Sequence, residues 1–393
     1  MEQYQLEQII IISRHGIRTA LPETLRFLQT VTPKSWPQWD CKPGYLTTRG
    51  GTLESFFGAY FRKWLLQQKF DISPDKVFVY ANSLQRTVAT AQYFTLGAFP
   101  GCDITIHHKY PIERMDPIFN PCVRNASSLF KQQVIHDLKH YTGSSDLIEQ
   151  LDKKLTPAYE LLAEILDYRH SKCYQKYQCE FTKLPTTFDL IINEEPKIRG
   201  ALAFGTAVVD ALTLQYYSGF KHQDNAWGMI NSFQHRAMLA NIKNQYINLL
   251  FKSPILANHI AKPLITFINQ MMQQKQHPLV LLVGHDCNIA SIMGALEFKD
   301  YQLPEQIEET PIGGKLVLQR WRNLQDQQSY FKAEYFYQTI EQLHLASELS
   351  LNHPARHITL ELNGLQTNGQ GLYPWSEFKE RIMKYLTGVT FEL

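Results

Sequence analysis

The chain has 393 residues, 44% of them hydrophobic and 19% charged, which is the composition of an ordinary globular protein and not of a disordered one. Lysine and arginine total 39 against 37 acidic residues, a net charge of +2, so no broad basic face marks a nucleic-acid binder and any anion recognition must be local. No apolar run approaches the ~18 residues that span a bilayer, while the length allows a large core and two domains at a prior of about 150 residues each.

The opening MEQYQLEQ is polar and lacks the basic and apolar regions of a secretory signal. The chain therefore reads as cytosolic, or as one whose signal was removed and Met1 added. Ile9–Ile12 form an oily run that ends in SRHGIR. This pattern predicts a buried strand closed by a glycine-containing turn. It puts Arg14, His15 and Arg18 at a strand's carboxyl end, where ligands bind in open α/β sheets. KVFVYANSLQRTVATAQYF predicts a second strand at Val77–Tyr80, a cap at Asn82 or Ser83, and a helix with Arg86 in its first turn. From about Pro111 to Leu264 the period is mostly helical, as in SSDLIEQLDKKLTPAYELLAEILDY and ALAFGTAVVDALTLQYYSGF. We expect residues 111–264 to be a mainly helical domain inserted into an α/β domain of residues 1–110 and 265–393, forming the other wall of its crevice.

Within the insert, Cys173 and Cys179 flank CYQKYQC, a short polar loop suited to a local disulfide, the alternative being two free thiols. The remaining cysteines, Cys41, Cys102, Cys122 and Cys287, have no metal-site spacing. HPLVLLVGHDCNIASIMGAL predicts a third strand at Leu279–Val283, turned by Gly284, with a helix after Asp286. TPIGGKLVLQRW and KAEYFYQTI alternate like antiparallel additions to the sheet. Three strand–turn–helix units predict an α/β fold with a mainly parallel sheet flanked by helices, the turns meeting at one edge.

Arg14, His15, Arg18, Arg86, His285 and Asp286 would then share one crevice. Arginine forks match phosphate oxygens, and phosphoryl transfer depends mostly on positioning and charge stabilisation. Histidine is a competent phosphoryl acceptor, and neighbouring arginines keep its lone pair free. Asp286 is the only carboxylate in the three turns and is the candidate proton donor. Its place at a helix N-terminus favours the anion, whereas a bound phosphate dianion raises its proton affinity. A preference for acid is expected, because activity follows the protonated fraction.

RHGIR with a later HD resembles the signature of the histidine acid phosphatases, the branch of the histidine phosphatase superfamily with an inserted helical domain. YANSLQRTVATAQ, GAFPGCDI, MDPIFNP, VDALTLQYYSGF, AWG, VGHDCNIAS and TPIGGKLVLQRW extend the likeness, chiefly to the glucose-1-phosphatase group, over nearly the whole chain. The resemblance implies His15 as nucleophile and Asp286 as proton donor. It implies Arg14, Arg18, Arg86 and His285 as phosphate ligands, with no metal or cofactor. In EEP it implies Glu195 as a glutamate that restricts substrate entry, although read alone Glu194-Glu195-Pro196 is a charged loop.

The expected partner is a small-molecule phosphomonoester such as glucose 1-phosphate, or one phosphate of phytate. Nucleic acid and membrane are not expected partners, and the expected state is a monomer or homodimer. The implied location is the periplasm, with the cytoplasm as the alternative. One departure is Ala20, where the family has proline; Pro22 follows later. The competing functions are a sugar-phosphate mutase and a non-catalytic phospholigand-binding module.

Overall fold

The computed structural model describes residues 3–125, 127–141 and 147–388. The chain opens with β1 (Tyr4–Arg14), α1 (Pro22–Leu28), α2 (Thr48–Gln67), β2 (Val77–Ala81), α3 (Gln85–Ala98) and β3 (Ile106–His107). A mostly helical stretch follows: α4 (Ser128–Tyr141), α5 (Leu147–Leu166), α6 (Lys172–Tyr177), the hairpin β4 (Thr187–Asp189) and β5 (Lys197–Arg199), then α7 (Ala201–Tyr217), α8 (Phe233–Ile247) and α9 (Pro254–Gln273). The chain then returns to the sheet with β6 (Leu279–Gly284), α10 (Asp286–Ala295), β7 (Lys315–Asn323) and β8 (Ser329–Tyr337). It closes with α11 (Ile340–Leu345), β9 (Arg356–Leu360), β10 (Tyr373–Pro374) and α12 (Trp375–Gly388).

The main sheet runs β10-β8-β7-β1-β6-β2-β3, with β9 also on β8. β1, β6, β2 and β3 are parallel neighbours. β7 and β8 extend the sheet antiparallel, as the alternation of TPIGGKLVLQRW and KAEYFYQTI predicted. Successive side chains of a strand point to opposite faces, and both faces of β1 are covered. Ile10 and Ile12 join a core with Leu264 and Ile268 of α9 and Ile289 of α10. Ile9 and Ile11 join another with Phe57 and Phe61 of α2 and Phe94 of α3. Burial on both faces explains an unbroken isoleucine run where a half-exposed strand would alternate. A further core ties α5, α7 and α8 together through Leu155, Leu162, Val208, Leu239 and Ile242.

Two local expectations need correction. Neither Asn82 nor Ser83 caps α3: the cap position is Leu84, with no side-chain hydrogen bond. The Asn82 amide is committed to tertiary contacts, and Ser83 Oγ accepts the Tyr110 N–H at 3.1 Å. The Cys173–Cys179 bridge is not formed; both thiols are free. Cys173 lies within α6, and Gln178 breaks the helix in a left-handed conformation with φ 50°. The two sulfurs then take separate partners, Tyr168 Oη–H donating to Cys173 Sγ and Cys179 Sγ–H donating to the Glu180 carbonyl. Pro22, which follows the departure at Ala20, opens α1 at its first position, where a proline costs no hydrogen bond.

Candidate active site

The turns after β1, β6 and β2 meet because those strands are adjacent and parallel. Backbone hydrogen bonds carry the ladder into the turns: His15 N donates to Gly284 O at 3.0 Å and Asn82 N to Val283 O at 2.9 Å. Gly313 N donates to His15 O at 3.0 Å from the loop before β7. Gly16 N donates to Thr90 Oγ1 of α3 at 2.9 Å. The RHG turn is thus held from three directions, and His15 and His285 are both buried with ring centroids 5.6 Å apart.

The His15 tautomer follows from its neighbours. Its Nδ1 lies 2.9 Å from the Gly16 carbonyl, which only accepts, so Nδ1 carries the proton and the Nε2 lone pair is free. Burial first, then the charges of Arg86, Arg18, Arg14 and His285, hold this imidazole well below its usual range. Both effects favour the neutral, nucleophilic form. The Asn82 amide is oriented by Asp116 N–H, which donates to Oδ1 at 2.9 Å. Its Nδ2 then donates to His285 Nε2 at 2.7 Å. Burial and Arg86 also keep His285 neutral.

Arg14 is 1% exposed, which is rare for so large a cation and demands compensation. Its guanidinium pairs with Asp286 Oδ2 at 3.0 Å and Glu308 Oε1 at 2.9 Å. Arg18 pairs with Asp210 Oδ2 at 3.0 Å. Lys243 pairs with Asp210 at 2.6 Å and Glu308 at 3.1 Å and lies 3.7 Å from Asp286 Oδ2. Buried donors nonetheless remain without a protein acceptor: Nε of Arg14, Arg18 and Arg86, and Nη2 of Arg14 beyond its ion pair. Buried polar groups are normally satisfied. Unsatisfied donors on three arginines around one histidine mark a site for an oxyanion with several acceptor oxygens.

Asp286 opens α10, and its Oδ1 accepts its neighbour's Cys287 N–H at 2.9 Å. Burial would push its proton affinity up, but Arg14, Lys243, His285 and Arg18 overrule it and hold the carboxyl well below the usual carboxylate range. Glu195 lies in the loop between β4 and β5, keeps solvent contact and is close enough to Asp286 for the two charges to repel. Partial burial and repulsion from Asp286, opposed by Lys197, push it up to about 7. All six turn residues expected to meet do so. Among the described residues no group of three or more histidine, cysteine or acidic side chains is placed to hold a metal ion.

Sequence reading missed Asp210, Lys243, Glu308 and the role of Asn82. Asp210 had a signal: it is the one charged residue in the apolar helix ALAFGTAVVDALTLQYY. Lys243 and Glu308 had none, since each sits in a polar stretch that looks solvated. In the fold, α8 and the segment after it clamp the Glu308 loop, with Asn244 Nδ2 donating to Ile307 O at 2.9 Å and Lys252 pairing with Glu309 at 2.9 Å.

The family profile of the histidine phosphatase superfamily (branch 2) matches residues 5–335. The chain belongs to this branch. This histidine phosphatase is 42% identical over 386 residues to a glucose-1-phosphatase of Salmonella typhimurium, covering 96% of this chain and 92% of that protein. It is 40% identical over 392 residues to a glucose-1-phosphatase of Providencia rettgeri, covering 97% and 92%. Its structure superposes on Hafnia alvei phytase in complex with myo-inositol hexakis sulphate with a TM-score of 0.90 and 30% identity, over 98% of both chains. It is an acid phosphatase that hydrolyses phosphomonoesters. The two glucose-1-phosphatase relatives are bacterial, and among the described residues no helix is long and apolar enough to cross a membrane.

Proposed function

We propose that this histidine phosphatase releases phosphate from glucose 1-phosphate through a phosphohistidine at His15, with Asp286 as proton donor. The observation that carries the reading is the neutral His15 Nε2 among the unpartnered donors of Arg14, Arg18 and Arg86. His15 Nε2 attacks phosphorus and the phosphorus–oxygen ester bond breaks. The departing oxygen takes the proton of Asp286 Oδ2. In the second half, water gives its proton back to the Asp286 carboxylate while its oxygen displaces His15 from phosphorus, as microscopic reversibility requires. Arginines matched to the equatorial oxygens supply the charge stabilisation.

The cations Arg14, Arg18, Arg86 and Lys243 exceed the carboxylates Asp210, Asp286 and Glu308 by one. A phosphate dianion turns that excess into a deficit, and uptake of one proton restores balance. This resolves the conflict between an ionised Asp286 and its role as an acid: the substrate itself raises the proton affinity of the donor.

The sugar-phosphate preference rests on the two glucose-1-phosphatase relatives. Phytate, the substrate class of the Hafnia alvei relative, is proposed as a secondary substrate attacked at one phosphate. Glu195, the glutamate to which the resemblance assigns restriction of substrate entry, is the proposed discriminator between a sugar phosphate and a substrate bearing several further phosphates. Residues 111–264 are proposed as the separate domain that supplies this wall. The resemblance extends the proposal to a periplasmic location, which release of activity by osmotic shock checks.

The test is phosphate release from glucose 1-phosphate in acid buffer containing EDTA, with His15→Ala beside the wild type. Release by the wild type, with a loss of at least 10³-fold in the variant, is expected for removal of a nucleophile. No release by the wild type from glucose 1-phosphate, phytate or an aryl phosphate would sink the proposal.

A further inference from the structure

Three carboxylates from three segments converge on one ammonium group. Lys243 of α8 meets Asp210 Oδ1 of α7 at 2.6 Å and Glu308 Oε1 at 3.1 Å, and lies 3.7 Å from Asp286 Oδ2 at the start of α10. Two of these oxygens are shared with Arg14, which reaches Glu308 Oε1 at 2.9 Å and Asp286 Oδ2 at 3.0 Å. Asp286 Oδ1 accepts the Cys287 N–H, while Oδ2 faces the two cations and is freed to take the proton once the nearer one, Arg14, turns away. Its two cations differ in what they can do. Arg14 has buried donors unsatisfied and can turn toward a phosphoryl group. Lys243 has its two shortest contacts elsewhere, with Asp210 and Glu308, which anchor it independently of Asp286.

We propose that Lys243 is a positioning residue for the proton donor: it stays in electrostatic contact with Asp286 Oδ2 after Arg14 has turned to the phosphoryl group, and so sets the pH above which the acid is empty. The inference rests on the reading of Asp286 as proton donor. The other groups facing Asp286 or its partners are Arg14 and Arg18 of the β1 turn, Arg86 of α3, His285, the Cys287 thiol, Asp210, Glu308, Glu195 of the β4–β5 loop, and the phenols of Tyr246 and Tyr335. The cations in that set also bind or face the phosphate. Lys243 differs from Arg14 in that its two closest carboxylate partners, Asp210 and Glu308, are both other than Asp286, which suits it to a constant bias on Asp286.

The consequence separates leaving groups. A sugar oxygen needs the proton of Asp286 to depart, whereas p-nitrophenolate does not. The experiment is the pH dependence of kcat for glucose 1-phosphate and for p-nitrophenyl phosphate, in the wild type, Lys243→Met and Lys243→Arg. Lys243→Met removes a nearby opposite charge, so the alkaline limb of the glucose 1-phosphate profile moves up by about one pH unit. The p-nitrophenyl phosphate limb stays in place, and Lys243→Arg keeps the wild-type limb on both substrates.

A glucose 1-phosphate limb that does not move, or limbs that move together on both substrates, overturns the proposal. Should Lys243→Met fail to fold, Asp210→Asn decides. It releases Lys243 toward Asp286 and shifts the same limb down; an unmoved or raised limb overturns the proposal. Asp286→Asn tests the underlying reading separately. A loss no larger for glucose 1-phosphate than for p-nitrophenyl phosphate removes Asp286 as donor, while a selective loss with an unmoved Lys243→Met limb removes the present inference alone.

Discussion

At Asn82 a single amide is oriented from one side and used on the other. Asp116 N–H fills its Oδ1 and its Nδ2 donates to His285 Nε2. Asp116 is itself fixed by the Tyr80 hydroxyl at 2.6 Å. The His285 ring is therefore held by a chain that runs back to β2. Asn82→Ala leaves a buried ring nitrogen without its donor, a cost of about 1–3 kcal/mol. The expected result is a fall in kcat/KM of roughly tenfold or more, with aryl and sugar phosphates losing equally because the leaving group is not involved. Steady-state kinetics on both substrates checks this, and a loss confined to the sugar phosphate contradicts it. From sequence, an asparagine just before a helix reads as a cap. Here tertiary contacts compete for the same amide and win, because the alternative is an unsatisfied imidazole in the core.

α2 determines where the RHG turn can lie. Its N-cap Thr47 accepts Gly50 N–H on Oγ1 at 2.9 Å and donates the same hydroxyl to Ile17 O at 3.1 Å. A Cβ on Gly50 would lie 2.3 Å from Ile17 O, so the glycine is required by close approach of the two backbones. Gly50→Ala must push Ile17 away and with it Arg18. The expected cost is about 1–3 kcal/mol of stability from overpacking, together with a rise in KM. Urea unfolding and kinetics check it; a variant with wild-type KM shows that α2 does not set the turn.

Beneath the same turn, Glu54 of α2 and Lys315 of β7 form a fully buried ion pair at 3.0 Å, with Lys315 also reaching Ser13 Oγ and the Gly313 carbonyl. Removing one charge of such a pair costs about 3–5 kcal/mol. Lys315→Met is therefore expected to lower the unfolding midpoint, and Lys315→Met with Glu54→Leu to recover most of that loss. A double variant no more stable than the single one would exclude the pairing as the cause.

Over the molecule, the charges of the site make stability depend on pH in a defined direction. Burial and the arginines depress the proton affinity of His15 and His285 in the folded state. An unfolded chain binds protons at these histidines near its ordinary pKa of about 6.5. Below that pH the unfolded state takes up protons that the folded state refuses, so stability falls. The slope is about 1.4 kcal/mol per pH unit for each imidazole. Asp210, Asp286 and Glu308 are depressed as well, so their contribution is intact above the usual carboxylate range and is lost only in stronger acid.

Burial, with Arg124 and Lys262, also lowers His259 to about 4, so urea unfolding at pH 7 and pH 5 is expected to show a drop of about 2 kcal/mol for each of the three histidines, and His15→Ala should remove about a third of it. Equal stability of the wild type at the two pH values would refute the assignment. Inorganic phosphate, binding only the folded form, should offset part of the loss. Its binding should also take up a proton, which calorimetry in buffers of different ionisation enthalpy measures directly.

The strands at Ile9–Ile12, Val77–Tyr80 and Leu279–Val283, and the convergence of Arg14, His15, Arg18, Arg86, His285 and Asp286, were legible in the amino-acid order. Each of those signals is local, an apolar run followed within a few residues by a turn that carries reactive groups, and parallel packing sends such turns to one edge. Lys243 and Glu308 were not legible as site residues, nor were the duty of Asn82 and the separation of Cys173 from Cys179, and Asp210 showed only as the one charge in an apolar helix. Those depend on which helix faces the crevice and which side chain wins a shared partner. That is decided by burial and by the need to compensate Arg14 and Arg18 away from water, a balance that exists only once distant segments have come together.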